Sequence, residues 1–139
     1  HMGRKLVVVK GWSFGDRAQS LYPELSELLN HPDIIPIDPC PLNWIFEMVD
    51  VAFIHGGIGT LAEALRAACH VVIEPYGNDQ LLNACIALKN NLALVVHPHE
   101  LNPKDLASFL RECSYLPMTR NLRVHAQLFL KSWHWADAF

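Results

Sequence analysis

The sequence has no CxxC pair, no internal repeat and no low-complexity stretch. Nor does it have an apolar run near the roughly 18–20 residues that a membrane span needs. It has no excess of positive charge either: 11 Lys and Arg stand against 14 Asp and Glu, for a net charge of −3. Each absence excludes something. Without a basic stripe, no nucleic-acid partner is expected. Without paired cysteine spacings, Cys40, Cys69, Cys85 and Cys113 read as buried free thiols in a reducing compartment, so a cytoplasmic location is expected. No signal peptide is visible at the start. His1-Met2 reads as a cloning remnant, and residues 3–139 read as one domain cut from a longer protein. What is present is a folding composition, 51% hydrophobic and 18% charged, in a chain long enough to bury a core.

Short apolar runs alternate with helical patterns. Leu6–Val9, Asp33–Ile37, Val51–Ile54, Val71–Ile73 and Leu92–Val96 read as strands. Asp16–Asn30, with leucines at helical spacing, reads as a helix. So do Asn43–Val49, a segment from Gly59 or Thr60 to about Cys69, and Asp79–Lys89 closed by a left-handed cap at Asn90-Asn91. Pro103–Cys113, capped by Asn102, and an amphipathic Thr119–Ala136 complete the set. The strands are continuously apolar rather than alternating. That predicts an α/β, Rossmann-like three-layer domain around a parallel sheet covered on both faces. Such sheets hold ligands at the carboxyl ends of their strands.

One such end is His55-Gly56-Gly57-Ile58-Gly59-Thr60. Here a strand gives way to a helix whose first amides have no intrahelical partner and whose dipole is positive. Glycines let those amides approach an anion, which suits a phosphate. Two other readings fit the same residues. Thr60-Leu61-Ala62-Glu63 has the form of a capping box, which needs no ligand. Gly57-Ile58-Gly59-Thr60-Leu61-Ala62 also fits the dinucleotide fingerprint, with Glu74 ending the next strand where a ribose-binding acid would stand.

A wider pattern surrounds the corner. Lys10-Gly11-Trp12, Asp38-Pro39-Cys40-Pro41-Leu42-Asn43-Trp44, the glycine corner, Glu63 eight residues after His55, and Pro75-Tyr76-Gly77-Asn78-Asp79-Gln80 follow one another. In order and spacing this resembles the donor domain of the family 1, GT-B glycosyltransferases, and within them the sterol 3β-glucosyltransferase branch. The resemblance spans roughly residues 5–115. It implies the C-terminal half of a GT-B enzyme, without its first strand, binding a UDP-sugar of the UDP-glucose type. His55 and the amides of Gly56, Gly57, Gly59 and Thr60 would hold the diphosphate, and Glu63 the ribose hydroxyls. Asp79 and Gln80 would hold the sugar, and the turn at Cys40-Pro41 would lie against the uracil. No obligatory metal or other cofactor is implied. The general base and the acceptor site would come from an N-terminal domain or a partner chain, so no catalytic residue is assigned in this sequence. Leu42 stands where the branch commonly has histidine, and His70 where proline is usual.

Other residues invite function less. Trp12 follows a strand end beside Gly11 and is a candidate for ligand contact. Trp44, flanked by Ile45 and Phe46, reads as core, as do Cys69 and Cys85. Asp79 could simply cap its helix. His97-Pro98-His99 beside Glu100 has too few further ligands for a metal and reads as a surface loop. The aromatic end, with Phe129, Trp133, Trp135 and Phe139, reads as a helix packed on the sheet. With the other domain absent, part of this apolar surface is expected to be exposed and to support self-association or a partner. In the full-length protein a peripheral membrane contact is expected, with weak attraction to anionic lipid. A split donor-binding module needing a second chain is the second function class, and a nicotinamide-dependent dehydrogenase built on Gly57, Gly59 and Glu74 is the third.

Overall fold

The computed structural model describes residues 4–11, 22–96, 102–104, 107–108 and 110–111. Trp12, the first part of the helix expected from Asp16, His97-Pro98-His99, Cys113 and the aromatic helix expected at the end of the chain lie outside the described residues. The chain falls into two compact units, residues 1–41 and 42–139.

In the first unit, β1 (Leu6–Val9) pairs in parallel with β2 (Ile34–Ile37), Leu6 opposite Ile34 and Val9 opposite Ile37. The connecting helix α1 covers Pro23–Leu29. The helix expected over Asp16–Asn30 from the leucine spacing is not continuous through Tyr22 and Pro23. Tyr22 is extended (φ −131°, ψ 81°), because the residue before a proline is driven out of the helical region. Pro23 then opens the helix, where its missing N–H costs nothing. Lys5 Nζ bonds Asp33 Oδ1 at 3.0 Å and the Pro32 carbonyl at 2.8 Å, beside the start of β2.

The second unit is built on β3 (Val51–Ile54), β4 (His70–Ile73) and β5 (Leu94–Val95), all parallel, in the order β3-β4-β5. Helices α2 (Leu42–Phe46), α3 (Ile58–Arg66) and α4 (Asp79–Lys89) alternate with these strands. The central strand β4 behaves as its sequence predicts: Val71, Val72 and Ile73 are fully buried, each contributing about 1.5–3 kcal/mol of burial. Leu61, Ala62, Ala64 and Leu65 of α3 and Ala84 and Ala87 of α4 bury against this core. On the edge strand β3, Phe53 is exposed between buried Ala52 and Ile54, the alternation of a half-covered strand rather than a fully buried one.

Two helices end alike. The N–H of Leu92 reaches the carbonyl of Ala87 and that of Asn91 the carbonyl of Leu88, with Asn91 left-handed at φ 54°. This is the left-handed close expected at Asn90-Asn91, with Asn91 as the residue that turns. It draws buried Leu92 inward, so β5 is confined to Leu94–Val95 rather than spanning Leu92–Val96. The same pair of bonds closes α3, from Cys69 to Ala64 and from Ala68 to Leu65, with Ala68 left-handed at φ 61°. That turn ends the helix at Arg66, three residues before the expected Cys69. Residues 103–104, 107–108 and 110–111 are helical, within the helix expected at Pro103–Cys113.

Candidate functional site

The site is built where β3 and β4 end on the same edge of the sheet. After Ile54 the chain exposes His55 and then turns sharply at Gly56, whose φ is +87°. A β-carbon there would stand 2.6 Å from Ile73 Cγ2 and 3.5 Å from the Gln80 carbonyl oxygen. Only glycine meets both demands, a left-handed backbone and close approach to the end of β4 and the start of α4. Gly57 is the N-cap of α3, and its carbonyl accepts the first helical bond, from Leu61 N–H, at 3.0 Å. No side chain caps this end. The capping box read at Thr60 is therefore not formed. Gly57 rather than Thr60 leaves helical geometry, so Thr60 lies inside the first turn and Glu63 pairs with the Arg66 guanidinium one turn on.

Gly59 differs from Gly56. It sits in the first turn of α3, exposed, and a β-carbon on it would meet nothing within 4 Å. The fold gives no reason for a residue that weakens a helix by about 0.5–1 kcal/mol relative to alanine. Close approach of a ligand to the helix end would supply one. His55 frames the same corner, its Nε2 2.5 Å from where a Gly57 β-carbon would stand.

The second arm is the start of α4. Asn78 is left-handed (φ 55°) and makes no side-chain cap. Asp79 is the first helical residue, not the cap, and its exposed carboxylate accepts from Asn83 Nδ2 at 3.0 Å. Gln80 Oε1 accepts the Tyr76 N–H at 2.9 Å, fixing the loop before the helix. The Tyr76 hydroxyl donates to Glu74 Oε2 at 2.7 Å, and that bond, followed by burial and the Glu74 charge, raises the Tyr76 pKa. The carboxylate required by a dinucleotide reading is thus already engaged. Asn83, only 4% exposed, also donates from Nδ2 to the Gly56 carbonyl at 2.9 Å. It ties the two arms together. Among the described residues no group of three His, Cys, Asp or Glu side chains could hold a metal ion. Among them, too, no helix is long and apolar enough to cross a membrane.

No family model matches the chain. A sterol 3-beta-glucosyltransferase of Neurospora crassa is 34% identical over 84 residues, covering 58% of this chain and 5% of that protein. The chain thus spans about a twentieth of the length of the curated relative it matches. The glycosyltransferase VinC, solved in complex with dTDP, superposes with a TM-score of 0.63 at 23% identity, over 79% of this chain and 27% of that one. Arabidopsis thaliana UGT89C1, complexed with UDP, superposes with a TM-score of 0.60 at 18% identity, over 93% and 38%. The chain is similar in sequence to sterol 3-beta-glucosyltransferases and in fold to glycosyltransferases. The α/β alternation and the parallel strands are those that the sequence resemblance to these enzymes implied.

His55, Gly56, Gly57, Gly59, Thr60, Asp79 and Gln80 come together in the second unit, with Glu63 farther along α3. Cys40, half-buried, and Pro41, exposed, belong to the first unit. Two core assignments are corrected. Trp44 is 54% exposed, because on the short helix α2 its neighbours Ile45 and Phe46 take the inward arc. Cys85 is exposed on α4, where Ala84 and Ala87 face the core instead. Cys69 is buried, its thiol donating to the Phe46 carbonyl at 3.0 Å. Burial, and then the charge of Asp50, push that thiol up to about 11. Asn83 escaped the sequence reading altogether. The signal was there: an amide four residues after Asp79, next to Ala84 in an apolar helix face.

Proposed function

We propose that this chain holds the nucleotide-sugar donor of a hexosyltransferase, of the UDP-glucose type, whose acceptor is a sterol or another lipid or small-molecule hydroxyl. The observation that carries the reading is the pairing of a glycine corner at an uncapped helix end with the Asp79-Gln80 start of α4, at the carboxyl ends of adjacent strands. His55 and the amides of residues 56–60 would take the diphosphate, Glu63 the ribose diol, and Asp79 and Gln80 the hexose hydroxyls. Fixed donors and a helix dipole suit a leaving group on which charge grows as the bond from the anomeric carbon breaks. The acceptor hydroxyl would attack that carbon from the opposite side, with inversion. Its proton would pass to a base in another domain or a partner chain, and UDP would depart. The kinship with sterol glucosyltransferases supports this donor and acceptor class.

Calorimetric titration of the 139-residue chain with UDP, UDP-glucose and NADH tests the reading. Binding of the first two, UDP-glucose more tightly than UDP, is expected. A folded chain that ignores both at millimolar ligand, or that takes NADH instead, would sink it.

A further inference from the structure

We infer that Asn83 is a positioning residue that couples the diphosphate-holding corner to the hexose-holding carboxylate; this rests on the function proposed above. Asn83 is 4% exposed, so it is not placed to touch a ligand itself. Its Nδ2 nevertheless donates to both arms, to Gly56 O at 2.9 Å and to Asp79 Oδ2 at 3.0 Å. The Gly56 bond has a directional consequence. A peptide unit is planar and trans, so the Gly57 N–H points opposite to the Gly56 carbonyl. By holding that carbonyl toward α4, Asn83 aims the Gly57 amide away from α4. The flanking backbone cannot choose this orientation alone, since Gly56 lies in a region that glycine enters and leaves freely. The Asp79 bond fixes a carboxylate that would otherwise rotate in solvent on the first residue of a helix. One buried amide therefore sets the angle of a diphosphate donor and of a sugar acceptor at once, and a shift in either arm is felt by the other.

The test uses the 139-residue chain, unaltered and as Asn83→Ala and Asn83→Leu, the second keeping the size without charge while removing the N–H donors. Calorimetry well below each melting temperature gives the affinities for UDP and UDP-glucose. Both variants are expected to lose about tenfold for UDP, the loss of roughly one hydrogen bond's worth of geometry. They should lose more for UDP-glucose, so the ratio of the two affinities falls. A purely structural role would lower the melting temperature and leave affinities and ratio unchanged, which overturns the inference. A measurement on the unaltered chain covers variants that fail to fold. On titration with UDP, the Asn83 side-chain NH2 resonances should shift together with the Gly57 amide. Shifts at residues 57–60 with Asn83 silent would overturn the inference alone. No UDP binding to the unaltered chain would overturn the proposed function with it.

Discussion

The imidazole of His55 lies over the α-carbon of Gly57, with Nε2 2.5 Å from the position a β-carbon there would take. The histidine is exposed, and this contact and the strand behind it help to set its place. Gly57→Ala should displace the ring at small cost in stability while weakening UDP binding. A urea melt and a titration on the same sample separate the two effects.

The three glycines of the corner should respond differently to alanine. At Gly56 the left-handed backbone and the contact with Ile73 act together, and Gly56→Ala should cost at least about 2 kcal/mol. At Gly59, in open space, Gly59→Ala should stabilise α3 by up to about 1 kcal/mol and yet reduce nucleotide affinity. Chemical denaturation with and without UDP gives both numbers. A stable Gly59→Ala chain that binds normally would mean that the residue serves no ligand.

Much of this corner was legible in the sequence. The glycines, His55 and the helix behind them followed from a strand run meeting a Gly-rich turn, and α4 began at Asp79 as the pattern suggested. What was not legible depended on tertiary contact. Thr60 and Glu63 have the letters of a capping box, but Gly57 leaves helical geometry first and Arg66 takes the glutamate. Ala68 carries a left-handed turn that alanine does not advertise. Asn83 reads as one polar residue among many until the fold brings Gly56 to it.

Ala68 offers a test of the turn. Its φ of 61° strains any residue with a β-carbon. Ala68→Gly should raise stability by up to about 1 kcal/mol, visible as a higher urea midpoint with an unchanged slope.

Glu63 separates ribose recognition from phosphate binding. If its carboxylate takes the ribose diol in exchange for, or beside, Arg66, then Glu63→Ala should bind UDP and 2′-deoxy-UDP alike. The unaltered chain should prefer UDP by about tenfold, the value of one charge-assisted hydrogen bond. Competition titrations with the two nucleotides measure the ratio.

The cysteines should react in order of exposure. At pH 8, alkylation followed by peptide mapping should label Cys85 well before Cys69. The Cys69 thiol is raised from an ordinary 9.0 to about 11. The folded chain therefore keeps that proton while the unfolded chain gives it up. The stabilisation is complete below pH 9.0 and is lost as pH rises toward about 11, a loss on the order of 2 kcal/mol. Urea melts at several alkaline pH values should show this fall, and Cys69→Ala should lack it.

Amide-resolved NMR of the chain titrated with UDP and then UDP-glucose tests the central claim most directly. The account predicts that UDP moves the amides of residues 56–60 and Glu63, and that Asp79 and Gln80 respond further only when the glucose is present. Saturating ligand that leaves these residues unmoved, or that shifts a different set, would contradict it.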